Sequence, residues 1–168
     1  MERSIQLNSD LMKRNLWLTI LMAGLLVGTL DITAAMIKFY IDTGKNPVIV
    51  LKYIASAVFS KKAYAGDAMM PVWGLIFHFM IAYIWTIFFF LVYPKLKLLT
   101  WNWVLTGVAY GIFIWIIMNQ AVVPMSNAST GAFNLKQAVI AALILIGAIG
   151  LPLSFIAHRF YSGKLQFN

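Results

Sequence analysis

Four stretches of this chain are almost free of charge, and each exceeds the roughly 20 residues an α-helix needs to cross the hydrocarbon core of a bilayer. The first extends from about Leu16 to Ile41, and the second, from Ala68 to Pro94, has no formal charge apart from one on His78 if it is protonated. Between Lys97 and Lys136 no ordinary acid or base occurs, which leaves room for a third run, Trp101 to Val123, and a polar turn, "PMSNASTGAFN". Gln137 to His158 supplies the fourth. The period-two alternation of barrel strands is absent. The expected fold is therefore all-α and integral to a membrane: a single domain, residues 1–168, forming a bundle of four transmembrane helices.

Composition agrees with that reading. The chain is 62% apolar and 11% charged, against roughly 45–50% and about 25% in soluble domains, so most of its surface must meet something other than water. The net charge of +8 comes from basic residues at the ends of apolar runs, where they meet anionic lipid headgroups. No basic stripe with interleaved aromatics lies outside those runs, so nucleic acid is not an expected partner. The absence of cysteine excludes a disulfide framework, a thiolate zinc site and a cysteine nucleophile.

Ahead of the first run lies the polar segment "MERSIQLNSDLMKRN", in which Asn8, Ser9 and Asp10 are candidate helix caps. The first run is too long for the apolar region of a signal peptide, about 7 to 15 residues, and is expected to be retained. Between the first two spans, "NPVIVLKYIASAVFSKKAYAG" offers an apolar stretch of about 20 Å as a helix, short of a crossing. Asn46 and Pro47 form a cap and first-turn pair, while Lys52, Ser56 and Ser60 form a polar stripe at i, i+4 spacing. An interfacial amphipathic or re-entrant helix over about 47–62 is expected, with a loop helix packed on the bundle as the alternative.

Counting basic residues hardly orients the chain, with seven on the side of the termini and six opposite. The close flanks of the first, third and fourth spans favour both termini on the cytoplasmic side. Trp17, Tyr93, Trp101, Trp103 and Tyr161 then form one aromatic belt, and Tyr40, Tyr64 and Trp73 the other.

The polar residues within the spans point toward function. An ionised aspartate near a helix centre costs about 2.5–3.5 kcal/mol on insertion scales, so something other than lipid must favour Asp31. Gly24, Gly28, Asp31 and Ala35 share one helix face, which places the acid on a stripe of small residues that a second helix can approach. Gly74, His78 and Ala82 repeat the pattern in the second span. Counted from the span centres, Asp31 and His78 lie about 4–5 Å and about 6 Å toward the same side. Asn119 and Gln120 fall in the same half of the third span, so all four residues are expected around one polar pocket. Gly107 and Gly111 form a further GxxxG pair. Lys38, about 10 Å beyond Asp31, is expected to reach the headgroups.

No HExxH, GxSxG, Walker A or dinucleotide-binding glycine motif occurs, and Glu2, Asp10, Asp31, Asp42 and Asp67 offer no pair buried at like depth. His158 sits at the inner end of the fourth span and His78 in the outer half of the second, so they could not share a metal or haem. Neither an enzyme nor a bound cofactor is expected. The stretch "HFMIAYIWTIFFFLVYPKLKLLTWNWVLTGVAYGIFIWIIMNQAVVPM", residues 78–125, resembles the YagU-like bacterial inner-membrane proteins, a family of unknown function, through its histidine-bearing span ending in "YPKLK", its glycine-bearing third span and the closing "PM". In that family's pattern a histidine falls where Asn119 stands here. The resemblance implies a bacterial cytoplasmic membrane and no activity. Two functions fit the residues: proton or small-solute handling through the Asp31–His78 pocket, or an accessory subunit or homo-oligomer whose small-residue faces dock a partner while Asp31 accepts an interhelical hydrogen bond.

Overall fold

The computed structural model describes the backbone of residues 2–65, 68–96, 98–129 and 134–165, and the side chains of these from residue 15 to 162 except residue 99. Asp67, Lys97, the side chains of Glu2 and Asp10, and part of the turn before the fourth span lie outside the described residues. Five helices are described. They are α1 (Glu2–Thr43), α2 (Val48–Phe59), α3 (Met70–Lys95), α4 (Trp103–Met125) and α5 (Leu135–Ser162, continuing helically to Leu165). Four of them, α1 from Asn15 onward, α3, α4 and α5, are long and apolar enough to span a bilayer.

Local sequence explains the boundaries. The helical backbone of α1 begins at Glu2, so Asn8, Ser9 and Asp10 sit inside the helix and do not cap its start. It ends where Gly44 adopts φ +66° and donates its N–H to the Tyr40 carbonyl, a conformation that costs glycine nothing. The carboxamide oxygens of Asn46, Asn102 and Asn134 accept from Val48, Val104 and Gln137 in the first turns of α2, α4 and α5. Each satisfies a donor that has no partner within its own helix.

Both α4 and α5 contain one π-helical turn, Met118–Val122 and Ile146–Gly150. In each, a proline follows by two residues, Pro124 and Pro152. A proline has no N–H to donate and its ring crowds the carbonyl four residues earlier, here Gln120 and Ala148, which both lie within the widened turns. The helices absorb that conflict by widening, with no break.

The exposed surface is that of a protein in lipid. On α1 alone, Leu18, Leu21, Met22, Leu25, Leu26, Leu30, Ile37 and Ile41 are between 41% and 75% exposed, an apolar face no water-soluble monomer tolerates. The chain is a multi-pass membrane protein. Its interior is built from Ile20, Ala23 and Val27 of α1, Phe89, Phe90 and Tyr93 of α3, Tyr110 and Ile114 of α4, and Ala148, Ile149, Leu153 and Ala157 of α5. Tyr93 belongs to this core and not to the aromatic belt expected of it. It is fully buried, stacks on Tyr161 at 5.6 Å and pairs its hydroxyl with His158 Nδ1 at 3.3 Å. Trp17, Trp101, Tyr40, Tyr64 and Trp73 are exposed, as residues at a membrane surface are.

Small residues set the helix spacing. A Cβ on Gly24 would meet the Tyr83 ring at 2.4 Å, and one on Gly28 would meet Phe79 at 2.8 Å, so α1 and α3 pack antiparallel with aromatic rings laid over the glycines. Gly107 and Gly111 of α4 face Gly150, Leu151 and Ile146 of α5 just as closely. Gly74 of α3 touches the Leu51 carbonyl of α2, and the Phe59 ring of α2 lies against Trp73 and Phe77 of α3. Beyond α4, Asn127 donates its backbone N–H to the Ala57 carbonyl and so closes the end of α2. The helix between the first two spans is thus packed on the bundle. Ser56 is buried, donates to the Tyr53 carbonyl and takes no part in an outward polar stripe with Lys52 and Ser60.

The glycines differ in what they can tolerate. A Cβ on Gly150 would lie 2.2 Å from the Gly107 carbonyl oxygen, whereas one on Gly147 would meet nothing within 4 Å. Gly150→Ala is therefore expected to lower the melting temperature in detergent by several degrees, corresponding to about 1–3 kcal/mol of overpacking. Gly147→Ala should leave it unchanged or slightly raised, because alanine is the better helix former. Equal loss in both variants would contradict the packing described.

Candidate functional site: an acid between two cavities

Gly28 lets α3 come close enough for His78 to reach the backbone of α1. The His78 Nε2 lies 2.8 Å from the Gly28 carbonyl oxygen. A carbonyl can only accept, so Nε2 carries the proton and Nδ1 is left as the nitrogen free to take one. Asp31 lies three residues beyond Gly28 on the same helix face, about 4.5 Å further along the axis. The imidazole is within electrostatic reach of its carboxyl group.

Asp31 is half-buried and, among the described residues, makes no hydrogen bond and no ion pair. Two cavities meet at it. The larger, about 910 Å³, lies among α1, α2, α4 and α5, and Lys38, Asp42, Tyr53, Trp115, Asn119, Gln120 and Gln137 contribute to its walls. The smaller, about 310 Å³, lies chiefly among α2, α3 and α4, with Asp31 of α1 and Leu145 and Ile149 of α5 at its edge, and is walled by Tyr53, Phe77, His78, Trp85, Ile114 and Met118, among others. Asp31 and Tyr53 belong to both. Burial, with the nearby Tyr64 phenol as a lesser cause, raises the Tyr53 phenol above its ordinary value, so that side chain is a neutral donor and acceptor at physiological pH.

The four polar residues expected around one pocket are divided. His78 faces the smaller cavity and Asn119 and Gln120 the larger, with Asp31 shared. Angular spacing on α4 is enough for the division: Met118 and Val122, four residues apart, line the smaller cavity, and Asn119 and Gln120, rotated away from them around the helix, line the larger. The Asn119 carboxamide donates to the Trp115 carbonyl of its own helix at 2.9 Å and, among the described residues, bonds no other helix. Lys38 is engaged by side chains near the end of its span. Its ammonium donates to Asp42 at 2.5 Å and to the Gln137 side-chain oxygen, tying α1 to α5 beside the larger cavity.

Three contributors were not singled out from the sequence. Trp115 lies on the larger cavity, and its indole Nε1–H is buried without a partner, the one such side-chain atom among the described residues. Tyr53 was read only as part of an apolar stretch, and Trp85 only as part of a span. The spacing of Trp115 four residues before Asn119, and the two prolines, were the available signals. Among the described residues no group of three His, Cys, Asp or Glu side chains is placed to hold a metal ion. The arrangement can do one thing chemically: hold a proton or a cation at an otherwise unpaired carboxylate, with an imidazole close by. No protein-family model, curated protein or solved structure matches the chain.

The hydrogen-bond geometry fixes a tautomer. In ¹⁵N-labelled protein at pH 8, with His158 replaced by glutamine for assignment, His78 is expected to show a protonated Nε2 and a bare Nδ1. A protonated Nδ1 with a bare Nε2 would contradict the contact with Gly28.

Proposed function

We propose that this membrane protein handles protons or a small solute through Asp31, with His78 as the group that exchanges charge with it. The observation that carries the reading is a carboxylate sheltered among apolar helices, placed between two cavities, without a hydrogen bond or counter-cation among the described residues. An acid kept only for helix packing would be engaged by a neighbouring donor. Intramembrane acids that face cavities belong as a rule to ion and substrate pathways.

The rival reading, an accessory subunit docking through its small-residue faces, loses the feature that suggested it. Gly24, Gly28, Gly74, Gly107 and Gly111 all meet neighbours inside the chain. As part of the same proposal, the chain is a YagU-like protein of a bacterial cytoplasmic membrane with both termini on the cytoplasmic side, and it has no enzymatic activity.

Purified protein reconstituted in liposomes with an interior pH dye should collapse an imposed pH gradient faster than empty liposomes. Asp31→Asn should remove at least nine-tenths of that rate, and His78→Gln should slow it without abolishing it. A wild type no faster than empty liposomes, or an unaffected Asp31→Asn, would overturn the proposal.

A further inference from the structure

We infer that the ligand of the smaller cavity is an organic monocation with an apolar, ring-sized body, its positive head on Asp31 and its body between Phe77, Trp85 and Tyr53. The inference rests on the reading above and names the class of solute. Its basis is the juxtaposition of one acid with an apolar chamber. Among the described residues, Asp31 is the only acid on the smaller cavity, and no lysine or arginine lines it. The Nε2–H of His78 already serves the Gly28 carbonyl and the Ser126 hydroxyl serves the Val123 carbonyl, which leaves neutral donors such as the Tyr53 phenol and no fixed cation to hold an anion. Charge complementarity therefore selects a cation.

The walls select its kind. A bare metal ion needs about six oxygen ligands, and the chamber is otherwise mostly hydrocarbon and aromatic carbon. A sugar or amino acid would leave most of its polar groups unpaired there, at about 1–3 kcal/mol each. A volume of about 310 Å³ is at the lower limit of small-molecule pockets. It suits a single ring carrying a charged head. The aromatic walls are held in place before any ligand arrives: Phe77 packs on Phe59 and Trp73, and Trp85 meets Phe88 and Phe113 edge to face. Ring faces fixed in this way attract a cation's head as well as covering its body.

Because head and proton would occupy the same carboxylate, the two exchange: a protonated Asp31 that takes the cation releases one proton, and charge balances. Besides Asp31, the titratable groups on the two cavities among the described residues are Lys38 and Asp42 on its own helix, Tyr53 on α2 and His78 on α3; the residues there from α4 and α5, such as Trp115, Asn119, Gln120 and Gln137, are uncharged. Lys38 and Asp42 neutralise one another, which leaves His78 as the second group able to take up a proton as the cation leaves.

Radiolabelled benzyltrimethylammonium and the full-length chain in detergent micelles provide the test, with the liposome assay run in parallel. Saturable binding is expected, weakened at least tenfold by Asp31→Asn and at least tenfold by Ala57→Phe, which narrows the chamber from α2 and leaves the carboxylate in place. Lowering the pH should weaken binding in the wild type. Thermal melts of both variants establish that they are folded; should Ala57→Phe not fold, Val122→Phe narrows the same chamber from α4. Asp31-dependent proton flux without binding would overturn this inference and leave the general reading standing. Asp31-dependent binding without flux would sustain the ligand assignment and remove the transport reading. Binding that ignores Asp31 would overturn the inference outright.

Discussion

The close approach of α1 and α3 at Gly28 is the contact on which the polar interior depends. With no side chain at that position, the Phe79 ring and the Ala82 methyl reach the α1 backbone, and His78 reaches a carbonyl that already belongs to the helix ladder. In a bilayer there is no water to satisfy an imidazole left without a partner, so this hydrogen bond fixes both the rotation of α3 and the face it presents. Asp31, one turn along the same stripe, is thereby turned from lipid toward the interior.

Close packing on one side of the bundle is matched by open space on the other. α4 and α5 meet tightly through Gly107, Gly111 and Gly150, yet each carries a widened turn two residues ahead of a proline. The widened turn of α4 lies where the two cavities meet it, with Asn119 and Gln120 on the larger and Met118 and Val122 on the smaller. α2, packed on α3, contributes to the walls of both, with Tyr53 common to the two. A helix too short to cross a bilayer thus forms a wall of the candidate site.

Much of this was legible in the sequence because a bilayer imposes few choices. Length and lack of charge located four spans within a few residues of their observed bounds, and three-and-four spacing put Gly24, Gly28 and Asp31 on a buried or half-buried face of α1. What was not legible depends on contacts between distant residues. Tyr93 and Trp101 look alike as interfacial aromatics, and only the stacking of Tyr161 shows that Tyr93 is core. Lys38 follows Asp31 by two turns, but the partner that holds it, Gln137, is on the last helix. Like depth along the membrane normal suggests that Asn119 pairs with His78, but depth says nothing of which face a side chain occupies, and the two residues face different cavities.

The most direct measurement of the central claim, that the Asp31 side chain faces an internal, water-reachable cavity, uses the absence of cysteine in the natural chain. Cysteine is placed singly at Asp31 and at its neighbour Leu30, which is 41% exposed on the apolar exterior. Both variants are then treated in liposomes with a charged, water-soluble thiol reagent. The account predicts that position 31 is labelled and position 30 is not. Labelling at 30 with protection at 31 would put the acid on the lipid face and contradict it.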